Sequence, residues 1–196
     1  MAQQTKLDRR SVVAKLLAGR TNLTAIAGLG AAAYDLAAAG DHDRNFYLWG
    51  AMGGAAMMGL GLALAQPGMP VLVVTGDGEA LMGMGAFASI AQHDPKNLTI
   101  VILDNEAYGE TGGQPTHTAH ATDLAAVAKA CGLKDARGIT TLAEVEALAP
   151  RVHAPGDGTT VAVVKIDPAE PTKVLPPRDG VFLMTRTRAA LGFAPS

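Results

Sequence analysis

The chain has 196 residues, of which 48% are hydrophobic, 17% charged and 4% aromatic, with 23 glycines and a formal net charge of -2. This is the length of one domain with a sizeable core of its own, and with no basic run longer than Arg9-Arg10 it argues against a nucleic-acid-binding face. The lone Cys131 excludes an internal disulfide framework, a CxxC zinc site and a self-contained iron–sulfur cluster.

In chain order, residues 1–10 are polar and lack the apolar stretch of a signal peptide, so a cytoplasmic location is expected. Ser11–Gly19 reads as a helix and Leu23–Ala27 as a short strand; Gly28-Leu29-Gly30 then turns into a helix over Ala31–Ala39. A charged loop, Asp41–Asn45, precedes the apolar Phe46–Trp49. The run from Gly50 to Ala65 is too short and glycine-broken to span a membrane and reads as a buried helix stopped by Pro67-Gly68. Val71–Thr75 and Leu98–Leu103 are continuous apolar strands of the kind found in a parallel sheet covered on both faces, with a crossover helix over Glu79–Gln92 between them. Asp123–Cys131 and Leu142–Leu148 look helical, Thr160–Ile166 is a last buried strand, Pro168–Pro177 is a Pro-rich excursion, and Val181–Leu191 forms a terminal helix. The alternation argues one α/β domain over residues 1–196, with three layers and a mainly parallel sheet. Ligands in such folds bind beyond the carboxyl ends of the strands, here the loops at Gly76-Asp77-Gly78 and Asp104-Asn105.

These loops carry the chemistry. The glycines of Gly76-Asp77-Gly78-Glu79 let backbone approach a ligand, and the following helix offers amides to an anion. Asp77 beside a diphosphate implies a bridging cation such as Mg2+, for which Asn105 and a main-chain carbonyl could complete the oxygen shell. Taken alone, Gly-Asp-Gly is equally an ordinary turn.

A buried strand ending in Gly-Asp-Gly, a helix, and a second buried strand ending in Asp-Asn together resemble the thiamine-diphosphate signature. The chain is identified by that resemblance with the pyrophosphate-binding domain of the thiamine-diphosphate-dependent 2-oxo acid decarboxylases, and so with the thiamine-diphosphate-binding fold. The resemblance implies thiamine diphosphate and Mg2+ as cofactors, with the metal held by Asp77, the Asn105 side chain and the Ala107 carbonyl. Asp104 stands where the family usually has a first Asn, a departure that leaves Asn105 in place. Upstream, Asp41–Gly53 looks like the family segment in which a main-chain carbonyl meets the aminopyrimidine and a bulky apolar side chain wedges the cofactor. Those catalytic roles fall on Gly50 and Met52, with Ala51 between them; without the resemblance, Met52 would read as core packing. Downstream, Tyr108-Gly109-Glu110-Thr111-Gly112-Gly113-Gln114-Pro115-Thr116 is similar to the stretch found in the thiamine-binding β subunit of sulfopyruvate decarboxylase and in phosphonopyruvate decarboxylases. It adds Tyr108, Gly109, Glu110 and Thr111 to the cofactor contacts expected at Gly76, Asp77, Gly78 and Glu79; otherwise it is a flexible Gly/Pro loop.

In that family a second, pyrimidine-type domain supplies the glutamate that activates the cofactor. The resemblance covers the pyrophosphate type alone, so it implies an α subunit carrying the pyrimidine domain and that glutamate, and a small acidic 2-oxo acid as substrate. Without its partner the chain would be inactive, and its low charge suggests that it also self-associates. Neither a nucleic acid nor a membrane is expected. Two rivals share the crevice: the β subunit of a 2-oxoacid:acceptor oxidoreductase, and a non-catalytic diphosphate-binding module. Elsewhere, His117 and His120 lack an obvious third metal ligand, His42, His93 and His153 read as solvated, and Cys131 reads as buried packing.

Overall fold

A computed structural model of the chain describes residues 6–193. Asp8 caps the first helix, α1 (Arg9–Leu17), by accepting from Ser11 N at 2.8 Å. There follow β1 (Thr24–Ala27), α2 (Ala31–Ala38), β2 (Asn45–Tyr47), α3 (Ala55–Ala65), β3 (Val71–Gly76), α4 (Asp77–Met82), α5 (Ala86–His93) and β4 (Leu98–Asp104). After β4 come a small hairpin, β5 (Ala107–Tyr108) and β6 (Gln114–Pro115), then α6 (Leu124–Ala130), β7 (Asp135–Ile139), α7 (Leu142–His153), β8 (Thr160–Lys165) and α8 (Gly180–Ala190).

Six strands form one parallel sheet in the order β2-β1-β3-β4-β8-β7. Successive side chains on a strand point to opposite faces, and the sheet uses both. Leu72, Val74, Val101 and Leu103 pack against Val12 and Leu16 of α1, Leu36 of α2 and Val145 of α7. Val71, Val73, Ile100 and Ile102 pack against Leu60 of α3, Phe87 and Ile90 of α5 and Leu124 of α6. The result is the expected three-layer α/β/α architecture. Among the described residues, no helix is long and apolar enough to cross a membrane.

Four local expectations are corrected. The Glu79–Gln92 crossover is two helices, because Gly83-Met84-Gly85 interrupts it and lets α4 end against the loop before α3: a Cβ at Gly83 would overlap the Gly53 carbonyl. The buried glycine-rich helix starts at Ala55 rather than Gly50, and Gly59 lies so close to β3 that a Cβ would overlap Val73. The expected stop at Leu148 is overrun. Helix α7 carries Pro150 and continues to His153, because Val152 is buried in the core. Strand β7 was missed altogether: Asp-Ala-Arg-Gly-Ile lacks a β-branched run and pairs on one side only, with β8.

Candidate functional site

The carboxyl ends of β1, β3 and β4 open onto one cleft. Asp77 lies at its floor, 2% exposed, with Oδ2 accepting from Thr116 Oγ1 at 2.6 Å and lying 3.2 Å from Thr118 Oγ1. Thr118 also donates to Asp104 Oδ1 at 2.7 Å and lies 2.8 Å from Thr116 Oγ1. Burial pushes the Asp77 carboxyl above its ordinary range, against the threonine hydrogen bonds that pull it down.

Asp104, also buried, forms an ion pair at 2.7 Å with Lys165 Nζ, at the end of β8. Burial alone would lower the lysine; its hydrogen bonds to Asp104 and Glu106 win and hold it above its usual value. The departure at Asp104 therefore brings its own counter-charge. Asn105 Oδ1 accepts from Ala107 N at 3.1 Å, which folds the loop back on itself across Glu106 at φ 64°.

The donor set suits a hard cation. Asp77 offers a carboxylate oxygen and Asn105 an amide oxygen, and because Thr116 N donates to the Glu106 carbonyl at 3.0 Å, the Ala107–Pro115 pair exchanges no hydrogen bond and the Ala107 carbonyl points away from β6. Three oxygens of mixed type on residues lining one cleft fit Mg2+ better than a nitrogen- or sulfur-preferring metal. Among the described residues there is no cluster of three or more His, Cys, Asp or Glu side chains able to hold a metal.

Glu79 plays a different part from Asp77. Its carboxylate, 4% exposed, accepts from Leu29 N at 3.1 Å, Thr75 Oγ1 at 2.9 Å and Ala55 N at 3.4 Å. It thus ties the turn after β1 to the start of α3, and burial raises its carboxyl above the ordinary glutamate range. Gly28 leaves the room this brace needs, since a Cβ there would overlap Glu79 Oε2. Gly78 has a similar role: a Cβ would lie 2.8 Å from the Tyr108 ring.

Of the residues singled out from the sequence, Gly76, Asp77, Gly78, Glu79, Asn105 and Ala107 line the cleft, as do Tyr108, Gly109, Glu110 and Thr111. Met52 lines it as well and is 39% exposed, which is not the setting of a core side chain. Gly50 and Ala51 lie outside the lining, on the exposed loop leading to Met52, with Gly50 at φ 74°.

Sequence reasoning missed Thr116 and Thr118 as supports of Asp77, and Arg9, Tyr34 and Lys173 as parts of the wall. The turn Gly28-Leu29-Gly30 before a helix was a usable signal for Leu29 and Ala31; nothing local marked Arg9 or Lys173. His153, expected to be solvated, instead has Nε2 2.9 Å from the Leu16 carbonyl and helps dock α7 on α1.

The profile of the thiamine pyrophosphate enzyme family, C-terminal TPP binding domain, matches residues 27–166. A phosphonopyruvate decarboxylase of Streptomyces viridochromogenes is 45% identical over 129 residues, which cover 65% of this chain and 32% of that protein. The chain thus spans about a third of that relative's length. The sulfopyruvate decarboxylase subunit beta of Methanococcus maripaludis is 36% identical over 163 residues, covering 83% of this chain and 86% of that subunit. The 2-oxoglutarate oxidoreductase subunit KorB of Mycobacterium tuberculosis is 35% identical over 112 residues, covering 56% of this chain and 28% of that one. Among solved structures, a thiamine diphosphate-dependent 4-hydroxybenzoylformate decarboxylase from Rhodococcus jostii superimposes with a TM-score of 0.67 at 22% identity, over 85% of this chain and 34% of that one; this likeness is one of fold.

Proposed function

This chain belongs to the thiamine pyrophosphate enzyme family, as its C-terminal TPP binding domain, and from that premise we propose that it is the cofactor-binding subunit of a non-oxidative 2-oxo acid decarboxylase. The observation that carries the reading is the convergence of Asp77, Asn105 and the Ala107 carbonyl on one cleft, in a chain alignable over 86% of a sulfopyruvate decarboxylase beta subunit. The substrate is a small 2-oxo acid with a second acidic group, sulfopyruvate or phosphonopyruvate, as the names of the relatives suggest. When bound, thiamine diphosphate supplies the electron sink for the carbon that loses CO2.

The chain's own residues do the rest. Asp77, Asn105 and Ala107 would hold Mg2+ against the diphosphate, and Thr116 and Thr118 fix the Asp77 carboxylate. Met52 lines the cleft from a loop packed against Gly83 and would set the cofactor's bend; the resemblance would give the pyrimidine contact to the Gly50 carbonyl, on the exposed loop beside the cleft. Glu79 holds the two loops of the wall at a fixed separation. A partner α subunit brings the activating glutamate, and we place the assembly in the cytoplasm in keeping with the lone cysteine.

The test is CO2 release from sulfopyruvate and phosphonopyruvate, with thiamine diphosphate and Mg2+, by the chain alone and with its partner. The reading expects release with the partner and no electron acceptor. The similarity to KorB favours one second reading, an oxidoreductase subunit, and CO2 release strictly dependent on an acceptor would select it. Failure to bind the cofactor at all would leave a diphosphate-binding module.

A further inference from the structure

The loop that carries Asn105 is held from outside the cleft. Lys165, the last residue of β8, stands opposite Asp104 in the β4–β8 register. Its Nζ meets Asp104 Oδ2 at 2.7 Å and Glu106 Oε1 at 2.8 Å, so one ammonium grips the residues on both sides of Asn105. Lys6 Nζ takes the other Glu106 oxygen at 2.6 Å. Lys165, Asp104 and Glu106 lie outside the cleft lining, whereas Asn105 and Ala107 belong to it.

The backbone at this point needs holding. Glu106 sits at φ 64°, in the left-handed region that residues other than glycine rarely enter, and such a conformation persists only where the surroundings impose it. Two local hydrogen bonds shape the turn: Glu106 N donates to Asp104 Oδ1 and Ala107 N to Asn105 Oδ1, each at 3.1 Å. The second sets the direction of the Asn105 amide, and the first depends on the carboxylate that Lys165 fixes. Charge balances as well. The carboxylates of Asp104 and Glu106 meet the ammoniums of Lys165 and Lys6, so the loop presents Asn105 without adding net charge beside Asp77.

We propose that Lys165 is a positioning residue for the metal ligands: by gripping Asp104 and Glu106 it fixes the Asn105 amide oxygen and the Ala107 carbonyl in the directions a small divalent cation requires. Mg2+ demands near-octahedral oxygen geometry at short distances, whereas the larger Ca2+ accepts an irregular shell. A loop held at both flanks therefore favours Mg2+, and a slack one loses that preference. The bearing on Mg2+ rests on the function proposed above; the grip on the loop does not.

Backbone amide exchange, followed by NMR on the full chain without metal or cofactor, reads the loop itself. Lys165→Met should speed exchange at Glu106 and Ala107 about tenfold through loss of a charge-assisted contact, with the β4 amides unchanged and Lys165→Arg close to wild type. Lys165→Met leaves the buried Asp104 without its counter-charge and endangers folding, so Glu106→Ala, at a partly exposed side chain, is a second variant with the same expected loosening. Calorimetric titration of thiamine diphosphate in Mg2+ and in Ca2+ then reads the ligands. Both loosened variants should bind about 10–100-fold more weakly in Mg2+ and keep more of their affinity in Ca2+; a role in stability alone would weaken binding with both ions alike. Unchanged exchange at Glu106 and Ala107, or an unchanged ratio of Mg2+ to Ca2+ affinities once the loop is loosened, overturns the proposal. A wild type that binds thiamine diphosphate with neither ion refutes the proposed function, and the exchange rates alone then uphold or overturn the grip.

Discussion

Replacing Thr118 by Val tests how the cleft floor is held. The Thr118 hydroxyl sits 2.7 Å from Asp104 Oδ1, 3.2 Å from Asp77 Oδ2 and 2.8 Å from Thr116 Oγ1, in a site where both carboxylates are nearly inaccessible to water. Valine fills the same space without a polar atom, so the variant removes a donor from two buried carboxylates and adds no volume. Hydrogen bonds to charged groups are worth about 1.5–3 kcal/mol, and loss of the donor leaves the desolvated Asp104 oxygen with Glu106 N, at 3.1 Å, as its remaining partner. At roughly 2–4 °C per kcal/mol for a chain of this size, Tm should fall by about 3–12 °C. Thr118→Ser keeps the hydroxyl and should recover most of the loss. The assay is thermal unfolding followed by circular dichroism, repeated in urea. Equal stability of the Val and Ser variants would refute the reasoning, because the hydroxyl would then contribute nothing to the floor.

Other expectations follow from the same geometry. Gly83→Ala should cost about 1–3 kcal/mol in urea unfolding, since its methyl group would overlap the Gly53 carbonyl and push the Met52 loop outward. Met52→Ala should lower turnover of the reconstituted enzyme by about 100-fold while cofactor affinity, read by calorimetry, stays near wild type; unchanged turnover would make the side chain a bystander. Arg186 of α8 clasps Asp41 through two bonds of 2.6 and 2.9 Å, and Arg186→Met should cost about 1 kcal/mol at neutral pH, reduced by the solvent exposure of the pair. Burial would raise the Asp41 carboxyl, but the Arg186 and Tyr47 hydrogen bonds outweigh it and hold it below 3.8. The stabilisation is therefore present above pH 3.8 and is lost as pH falls through the depressed value, so the Tm curves of wild type and variant should converge in strong acid.

The parts of the fold visible in the sequence were those carried by local pattern. Val71–Gly76 and Leu98–Asp104 are buried along nearly their whole length, so their apolar runs announce both strands and the layers that cover them. Strand β7 gave no such signal, because an edge strand with two charged residues and a glycine is held by its neighbour rather than by its own composition. The cleft divides in the same way. Gly76-Asp77-Gly78 and Asp104-Asn105 are contiguous motifs and were legible, whereas Thr116 and Thr118 matter through hydroxyls that only the return of the β5–β6 hairpin brings to Asp77. Glu79 belongs to a legible motif, yet its brace on Leu29 and Ala55 depends on two loops distant in sequence. Arg9 and Lys173 lie 164 residues apart and line the same cleft only because α1 and the segment after β8 both reach it.

The central claim is that Asp77, Asn105 and Ala107 anchor a metal-bridged diphosphate. The most direct test is calorimetric titration of thiamine diphosphate into the wild-type chain and into Asp77→Ala and Asn105→Ala, each with and without Mg2+, after circular dichroism has shown all three folded. The account predicts Mg2+-dependent binding in the wild type and none in either variant. Unchanged affinity in both variants, or wild-type binding indifferent to Mg2+, would contradict it.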